Sequence, residues 1–131
     1  MSIVIRNLCK RFGDTPVLQD FTWTVDGPAV LMGRSGCGKT TLLRILMGLE
    51  APDSGTVTGV DMPAVVFQED RLCPQLTAAA NLVLTGHGLT QQEAERELRT
   101  LGFTDAELVL PAARLSGGQK RRTALLRALL C

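Results

Sequence analysis

The predicted fold depends first on one stretch, Gly33-Arg34-Ser35-Gly36-Cys37-Gly38-Lys39-Thr40, with Thr41 after it. The stretch matches the pattern G-x-x-x-x-G-K-[ST]. The apolar run 29–32 leads into it as a predicted strand, and residues 40–48 lead out as a predicted helix. A strand, a glycine-rich loop and a helix in this order predict a phosphate-binding loop in an α/β fold.

The residue types of this loop suit a polyanion. Gly33, Gly36 and Gly38 let the backbone wrap closely with its amides turned inward, because no Cβ obstructs the approach. Lys39 supplies a point charge for β- and γ-phosphates, and Thr40 supplies a hydroxyl for Mg²⁺. The start of the following helix adds partial positive charge. The alternative is a glycine-rich turn that only caps a helix.

A second candidate anion site lies in Leu115-Ser116-Gly117-Gly118-Gln119, which runs into an apolar and basic stretch over 120–129. Ser116 can cap a helix, and Gln119 stands at the capping-box position. The two glycines leave backbone amides bare at the helix start. An ordinary Ser-capped helix after a loop is the alternative.

Residues 115–119, downstream of a phosphate loop, resemble the signature motif of the ABC (ATP-binding cassette) ATPases. The resemblance implies an α/β fold: a P-loop NTPase core, an N-terminal antiparallel β subdomain and an inserted α-helical subdomain. It also implies an ATP-binding subunit that couples ATP binding, and in the full-length family ATP hydrolysis, to solute transport across a membrane. In that family two such subunits sandwich ATP and Mg²⁺.

The resemblance assigns nucleotide contacts in one subunit to Phe12, Gly33, Arg34, Ser35, Gly36, Cys37, Gly38, Lys39, Thr40, Thr41 and Gln68. It assigns contacts from the second subunit to Ser116, Gly117, Gly118 and Gln119, and Mg²⁺ contacts to Thr40 and Gln68. Phe12 is expected to stack on adenine, although Phe also serves well as sheet core. Gln68 is expected at a strand end beside the loop, and an exposed edge glutamine is its alternative.

The stretch 67–77 resembles ATP-binding subunits of bacterial importers for sulfonate, taurine, nitrate or thiamine-like substrates. Ala80-Asn81 departs from the Glu-Asn that the family often has. The implied partners are transmembrane permease subunits, a second ATP-binding subunit and a substrate-binding protein. The implied location is cytoplasmic, peripheral on the inner face of the membrane. The rival hypotheses are a soluble ABC ATPase, a P-loop kinase and an inactive fragment.

Composition favours one globular domain and gives no sign of a nucleic-acid partner. The chain has 131 residues, 45% of them hydrophobic, and its 14 Lys and Arg nearly balance its 13 Asp and Glu. The local run Lys120-Arg121-Arg122 is interpreted as a solvated helix face. No run of apolar residues is long enough to cross a bilayer, and the first residues lack the pattern of a signal peptide.

The four cysteines, Cys9, Cys37, Cys73 and Cys131, show no CxxC spacing, and His87 alone cannot complete a zinc site with them. They are predicted to be reduced and mostly buried thiols. Cys37 is the exception, either a small filler in the loop or a thiol open to alkylation. His87, between two glycines, is predicted to be a loop residue with no catalytic part.

The predicted organisation is a β subdomain and P-loop core over 1–68, a helical subdomain over 69–115 and a signature helix over 116–131. The predicted strands are 3–8, 21–25, 29–32, 56–58 and 64–67, the last buried on both faces. Thr77 is expected to cap a helix over 78–84. A capping box at Thr90 is expected to open the next helix.

ATP hydrolysis in the family uses an acidic pair after a further strand and a switch histidine, and residues 1–131 contain no match to either in the required order. The sequence therefore predicts the N-terminal part of an ABC ATPase, truncated after the signature motif and without the C-terminal core strands. Nucleotide binding is expected rather than hydrolysis. Leucines of the final helix, 125–130, are expected to be left without cover.

Overall fold

The computed structural model describes residues 2–86 and 88–130. These residues form two compact units that divide between Pro63 and Ala64. The predictions for His87 and Cys131 lie outside the described residues.

Unit 1 contains a three-stranded antiparallel sheet with the strand order β2-β1-β3. The strands are β1 (Ile3–Phe12), β2 (Thr15–Val25) and β3 (Ser54–Thr58). The first two are longer than predicted, because the turn between them is confined to residues 13 and 14. The β1–β2 pairing contains irregularities near two polar residues, Asn7 and Asp20, which have φ of 48° and 50°. Nδ2 of the Asn7 side chain donates to Asp20 Oδ1.

The core of unit 1 lies between this sheet and α1 (Lys39–Leu46). Leu42 and Ile45 of α1 pack with Ile5, Leu8 and Leu18 of the sheet. The helix ends two residues earlier than predicted, since Gly48 takes a φ of 70° and donates to the Ile45 carbonyl oxygen over 3.0 Å. A glycine in this conformation commonly ends a helix.

The predicted strands over 29–32 and 64–67 do not form. Val30 and Met32 are 82% and 84% exposed, and residues 65–67 are only half-buried. A strand of a parallel sheet needs hydrogen-bonded neighbours and a covering layer on both faces. The unit 1 sheet consists of β1 to β3, and the described part of unit 2 contains no strand, so neither segment has these neighbours.

Unit 2 is helical. Its helices are α2 (Ala78–Val83), α3 (Gln91–Thr100), α4 (Asp105–Leu108) and α5 (Gly117–Leu129), with a 3₁₀ turn over Ala112–Arg114 before α5. The caps predicted at Thr77 and Thr90 are confirmed. The core of the unit comprises Ala78, Ala79, Leu82, Ala94, Leu98, Phe103, Leu108, Ala112, Leu115 and Leu126.

The end of α5 leaves apolar side chains exposed, as the sequence predicts. Leu129 is 80% exposed and Leu125 is 45% exposed, whereas Leu126 is buried in the unit 2 core. Over residues 2–86 and 88–130, no helix combines the length and hydropathy that a membrane span requires.

The prediction that the cysteines other than Cys37 are mostly buried is wrong for the two of them that the structure describes, because Cys73 is exposed and Cys9 is half-buried. Cys37, the exception in that prediction, is exposed, and all three thiols are free. Cys37 and Cys73 lie in irregular segments rather than on the apolar face of a helix or strand, so the core does not cover them.

Candidate functional site

The glycine-rich loop ends at a helix start that no side chain caps. Gly38 is the N-cap of α1, with φ 96° and ψ 2°. The first hydrogen bond of the helix joins the Leu42 amide to the Gly38 carbonyl oxygen over 2.9 Å. The amides of residues 39–41 precede this bond and therefore have no partner within the helix. Uncapped amides at a helix N-terminus favour a bound anion.

Two glycines of the loop lie close to neighbouring atoms, Gly38 to backbone and Gly33 to a side chain. A Cβ on Gly38 would lie 2.9 Å from the Val17 carbonyl oxygen and 3.1 Å from Val17 Cγ1, so the start of α1 rests directly against β2. A Cβ on Gly33 would lie 2.7 Å from Cys37 Sγ. Gly36 has a φ of 78° with open space around it. The sequence predicts the turn, but not the contact with β2.

Lys39 lies at the centre of the loop. Its Nζ donates to the carbonyl oxygens of Gly33 and Arg34, over 2.7 and 2.6 Å, and lies 3.5 Å from Cys37 Sγ. The ammonium group is therefore held inside the turn rather than extended into solvent. Around it, Arg34, Ser35, Gly36, Cys37 and Thr40 are exposed, and Thr41 is half-buried.

Phe12, at the end of β1, is 50% exposed. The alternative interpretation, in which Phe12 belongs to the core of the sheet, is therefore wrong. Lys10 Nζ lies 5.2 Å from the centre of its ring, within cation–π range. Lys10 also forms an ion pair with Glu50 over 2.7 Å and donates to the Ala51 carbonyl oxygen over 2.8 Å. The hydrogen bond to Glu50 raises the pKa of Lys10.

The signature residues form the predicted cap of α5. The Gln119 amide N–H donates to Ser116 Oγ over 3.2 Å, and the Ser116 amide N–H donates to Gln119 Oε1 over 2.8 Å. Ser116, Gly117 and Gly118 are exposed, and a Cβ on either glycine would meet no atom within 4 Å. The capping box is thus confirmed, and the glycine backbone at the helix start is open to an approaching molecule.

Glu107, which the sequence analysis did not single out, joins this cap to the cap of α4. The Thr104 amide donates to Glu107 Oε2 over 2.8 Å, and Gln119 Nε2 donates to Glu107 Oε1 over 2.6 Å. The hydrogen bonds from Thr104, backbone first, lower the pKa of Glu107. The T-x-x-E pattern over 104–107 signals the first contact in the sequence, but nothing in the sequence signals the second.

The lowered pKa of Glu107 predicts an acid-dependent loss of stability in unit 2. A carboxyl group whose pKa is lower in the folded state than in the unfolded state stabilises the fold at pH values above its ordinary pKa of 4.5. The contribution is lost as the pH falls through the pKa of the folded state. We expect the free energy of unfolding, measured by helical circular dichroism, to fall less between pH 5 and 3 in Glu107→Gln than in the unchanged protein. Glu97→Gln on α3 is the control, and an acid dependence identical in all three proteins would contradict the assignment.

Gln68 is exposed, on a short irregular segment over 67–71 that α5 holds. Arg121 Nη1 donates to the Phe67 carbonyl oxygen over 2.5 Å, and the two Nη atoms of Arg127 donate to the carbonyl oxygens of Arg71 and Asp70 over 2.8 and 2.9 Å. Arg121 and Arg122 are exposed, in agreement with the interpretation of this stretch as a solvated face. Both nevertheless form hydrogen bonds that the sequence did not indicate, since Arg122 also donates to the Leu101 carbonyl oxygen over 2.6 Å. Long guanidinium side chains reach carbonyls that a sequence pattern does not reveal.

Asn81, noted in the sequence only for the Ala80-Asn81 departure, is 2% exposed and holds the next stretch of the same segment. Its Oδ1 accepts from the Cys73 amide over 2.7 Å, and its Nδ2 donates to the carbonyl oxygens of Cys73 and Thr77 over 3.1 and 3.0 Å. A buried amide with all of these partners fixes the chain around it. A cavity of about 250 Å³ adjoins this segment, lined by Asp70, Arg71, Leu72, Pro74, Ala112, Ala113 and Lys120.

Within the described residues, no group of three or more His, Cys, Asp or Glu side chains is placed to hold a metal ion.

Comparisons with known proteins identify a family and several relatives. The profile of the ABC transporter family matches residues 19–131. The aliphatic sulfonates import ATP-binding protein SsuB 2 of Paraburkholderia xenovorans (strain LB400) is 42% identical over 134 residues, which are 99% of this chain and 53% of that protein. SsuB 1 of Paracoccus denitrificans (strain Pd 1222) is 42% identical over 137 residues, which cover 98% of this chain and 55% of that protein. This chain thus spans about half the length of the curated relatives that it matches.

Two solved structures share the fold. An ATP-binding cassette in a dimeric post-hydrolysis state, bound to ADP and Pi, superposes with a TM-score of 0.72 at 25% identity, over 98% of this chain and 69% of that chain. An ATP-binding subunit of an ABC transporter gives a TM-score of 0.82 at 24% identity, over 99% of this chain and 62% of that chain. The predicted α/β fold class is confirmed. From the family match and the 42% identity to the sulfonate import proteins, we conclude that the chain belongs to the ABC transporter family.

Proposed function

We propose that this chain is the ATP-binding part of an ABC import system and that its loop over 33–41 binds the phosphates of ATP. The observation that carries the proposal is the position of Lys39. Its ammonium group is held by loop carbonyls over 2.6 and 2.7 Å, next to the uncapped amides of α1. A fixed cation beside amides that lack intrahelical partners is a site for a polyanion.

The nucleotide is proposed to extend from this loop toward Phe12. Its phosphates would contact the backbone of Gly33, Arg34, Ser35, Gly36, Cys37 and Gly38, together with Lys39, Thr40 and Thr41. The half-exposed ring of Phe12 offers a surface on which adenine can stack. A second copy of the protein would contribute Ser116, Gly117, Gly118 and Gln119, and the exposure of the first three residues supports contact with a neighbour.

Mg²⁺ is proposed to bind with the nucleotide, at Thr40 and Gln68. Thr40 is exposed in the first turn of α1, directly after Lys39, and Gln68 is also exposed. Hydroxyl, amide and phosphate oxygens are ligands that suit this cation. Bound there, Mg²⁺ would neutralise charge on the phosphates.

The proposed partners are transmembrane permease subunits, a second ATP-binding subunit and a substrate-binding protein. The relatives are named as import ATP-binding proteins for aliphatic sulfonates, and one structural neighbour is dimeric. A cytoplasmic position on the inner face of the membrane, reached through the permease, follows from this role.

A series of ligands tests the proposal. Isothermal titration should show that ATP and ADP bind more tightly than AMP by at least tenfold, because AMP lacks the β- and γ-phosphates that Lys39 would contact. Tripolyphosphate should bind more weakly than ATP, because it lacks the base that Phe12 would contact. Equal affinity for ATP and AMP would contradict the phosphate site. Transfer of the ATP phosphate to a small molecule would favour a kinase instead.

A further inference from the structure

The segment that carries Gln68 is held to α5 by two arginines. Arg121 donates to the Phe67 carbonyl oxygen and lies 3.4 Å from Asp70 Oδ1, while Arg127 bridges the carbonyl oxygens of Asp70 and Arg71. Three of the five carbonyls between 67 and 71 therefore accept hydrogen bonds from α5. We call this set of contacts the arginine clasp.

The clasped segment has no secondary structure of its own to fix its shape. Arg71 takes a φ of 48°, which is uncommon for a residue other than glycine and persists where the surroundings enforce it. The guanidinium carbon of Arg71 lies 3.9 Å from the centre of the Phe67 ring, which closes the segment on itself. The segment thus presents carbonyls to α5 while Gln68 remains exposed.

The clasp depends on the guanidinium group. Arg127 uses both of its Nη atoms, one on each of two successive carbonyl oxygens, over 2.8 and 2.9 Å. A planar fork of donors suits this pair of acceptors, whereas a lysine ammonium on the same helix position is a single flexible point charge. Lysine would therefore keep the positive charge but lose part of the geometry.

The same helix begins at the signature residues. Arg127 lies eleven residues after Ser116, which is about 16 Å along a hydrogen-bonded helix. A displacement of the helix start is therefore transmitted to the clasped carbonyls, because α5 is continuous from Gly117 to Leu129.

We propose that Arg127, with Arg121, is a positioning residue that locks the Gln68 segment to α5, so that Gln68 and the signature residues move as one body. The inference rests on the proposed contact of Gln68 with Mg²⁺. It adds a physical link between that contact and the residues that would meet the nucleotide of a second subunit.

The test uses the full chain and compares Arg127→Gln and Arg127→Lys with Gln68→Ala. The matched control is Arg96→Gln, which removes the same charge from an exposed position on α3. ATP affinity is measured with Mg²⁺ and again with EDTA. We expect Gln68→Ala and Arg127→Gln each to weaken binding about three- to tenfold with Mg²⁺, the range for one lost hydrogen bond, and to leave it unchanged with EDTA. The ATP affinity of Arg127→Lys with Mg²⁺ should lie between that of Arg127→Gln and that of the unchanged protein.

Hydrogen exchange provides the second measurement. The amides of residues 68–72 should exchange faster in Arg127→Gln, by at least tenfold, and at the original rate in Gln68→Ala and Arg96→Gln. The inference is overturned if Arg127→Gln leaves both the exchange rates and the ATP affinity unchanged while Gln68→Ala weakens binding. It is also overturned if Arg127→Gln loses the same ATP affinity with Mg²⁺ as with EDTA. Failure of the proposed function is distinguishable, because Gln68→Ala would then itself leave Mg²⁺-dependent binding intact, and the positioning role would fall with it.

Discussion

Replacing Lys39 with alanine is expected to weaken ATP binding by on the order of 100-fold, because hydrogen bonds to charged groups contribute about 1.5–3 kcal/mol each. The substitution removes the cation that would face the β- and γ-phosphates. It also removes the bonds from Nζ to the carbonyl oxygens of Gly33 and Arg34, so the loop loses the contacts that hold its turn. Isothermal titration with ATP measures both effects together.

The control for this prediction is Lys120→Ala, which removes a lysine from α5 in unit 2. It should leave ATP affinity within about twofold, since it lies outside the proposed phosphate contacts. If Lys39→Ala and Lys120→Ala bind ATP equally well, the loop is not a phosphate site. Equal and weak binding by all three proteins would support the inactive-fragment hypothesis instead.

Replacing Gly38 with alanine is expected to destabilise unit 1 by about 2–3 kcal/mol. The substitution places a Cβ at a φ of 96° and 2.9 Å from the Val17 carbonyl oxygen, an atom of the β2 backbone that cannot move without disturbing the sheet. The helix start would have to separate from β2. Urea unfolding followed by the fluorescence of Trp23, the single tryptophan, reports on unit 1 because that half-buried residue packs against its core.

Gly36→Ala is the matched control for Gly38→Ala. Both glycines have positive φ, but no atom lies within 4 Å of a Cβ on Gly36. This change should therefore cost only the backbone strain, about 1 kcal/mol. Equal destabilisation by the two substitutions would show that packing against β2 contributes nothing to the requirement for glycine at position 38.

Local features of the fold could be predicted because their causes lie within a few residues of sequence. The caps at Thr77, Thr90 and Ser116 depend on side chains and amides three residues apart. The exposed leucines at the end of α5 follow from its nearly continuous apolar pattern.

The strands predicted over 29–32 and 64–67 show the limit of that reasoning. An apolar run indicates that a segment can be buried, but pairing depends on a neighbouring strand distant in sequence. Neither segment has such a neighbour within its own described unit, so Val30 and Met32 are exposed. The arginine clasp was missed for a related reason, because Arg127 and Asp70 are separated by 57 residues.

The sequence by itself determined the glycine-rich turn into α1, the capping box of α5 and the family, since each depends on residue types at fixed short spacings. Only the tertiary structure decided that Gly38 must be glycine because β2 lies against it, that Glu107 joins two helix caps, and that α5 holds the Gln68 segment through guanidinium groups. These contacts join residues that are distant along the chain, and the packing of helices and strands brings them together.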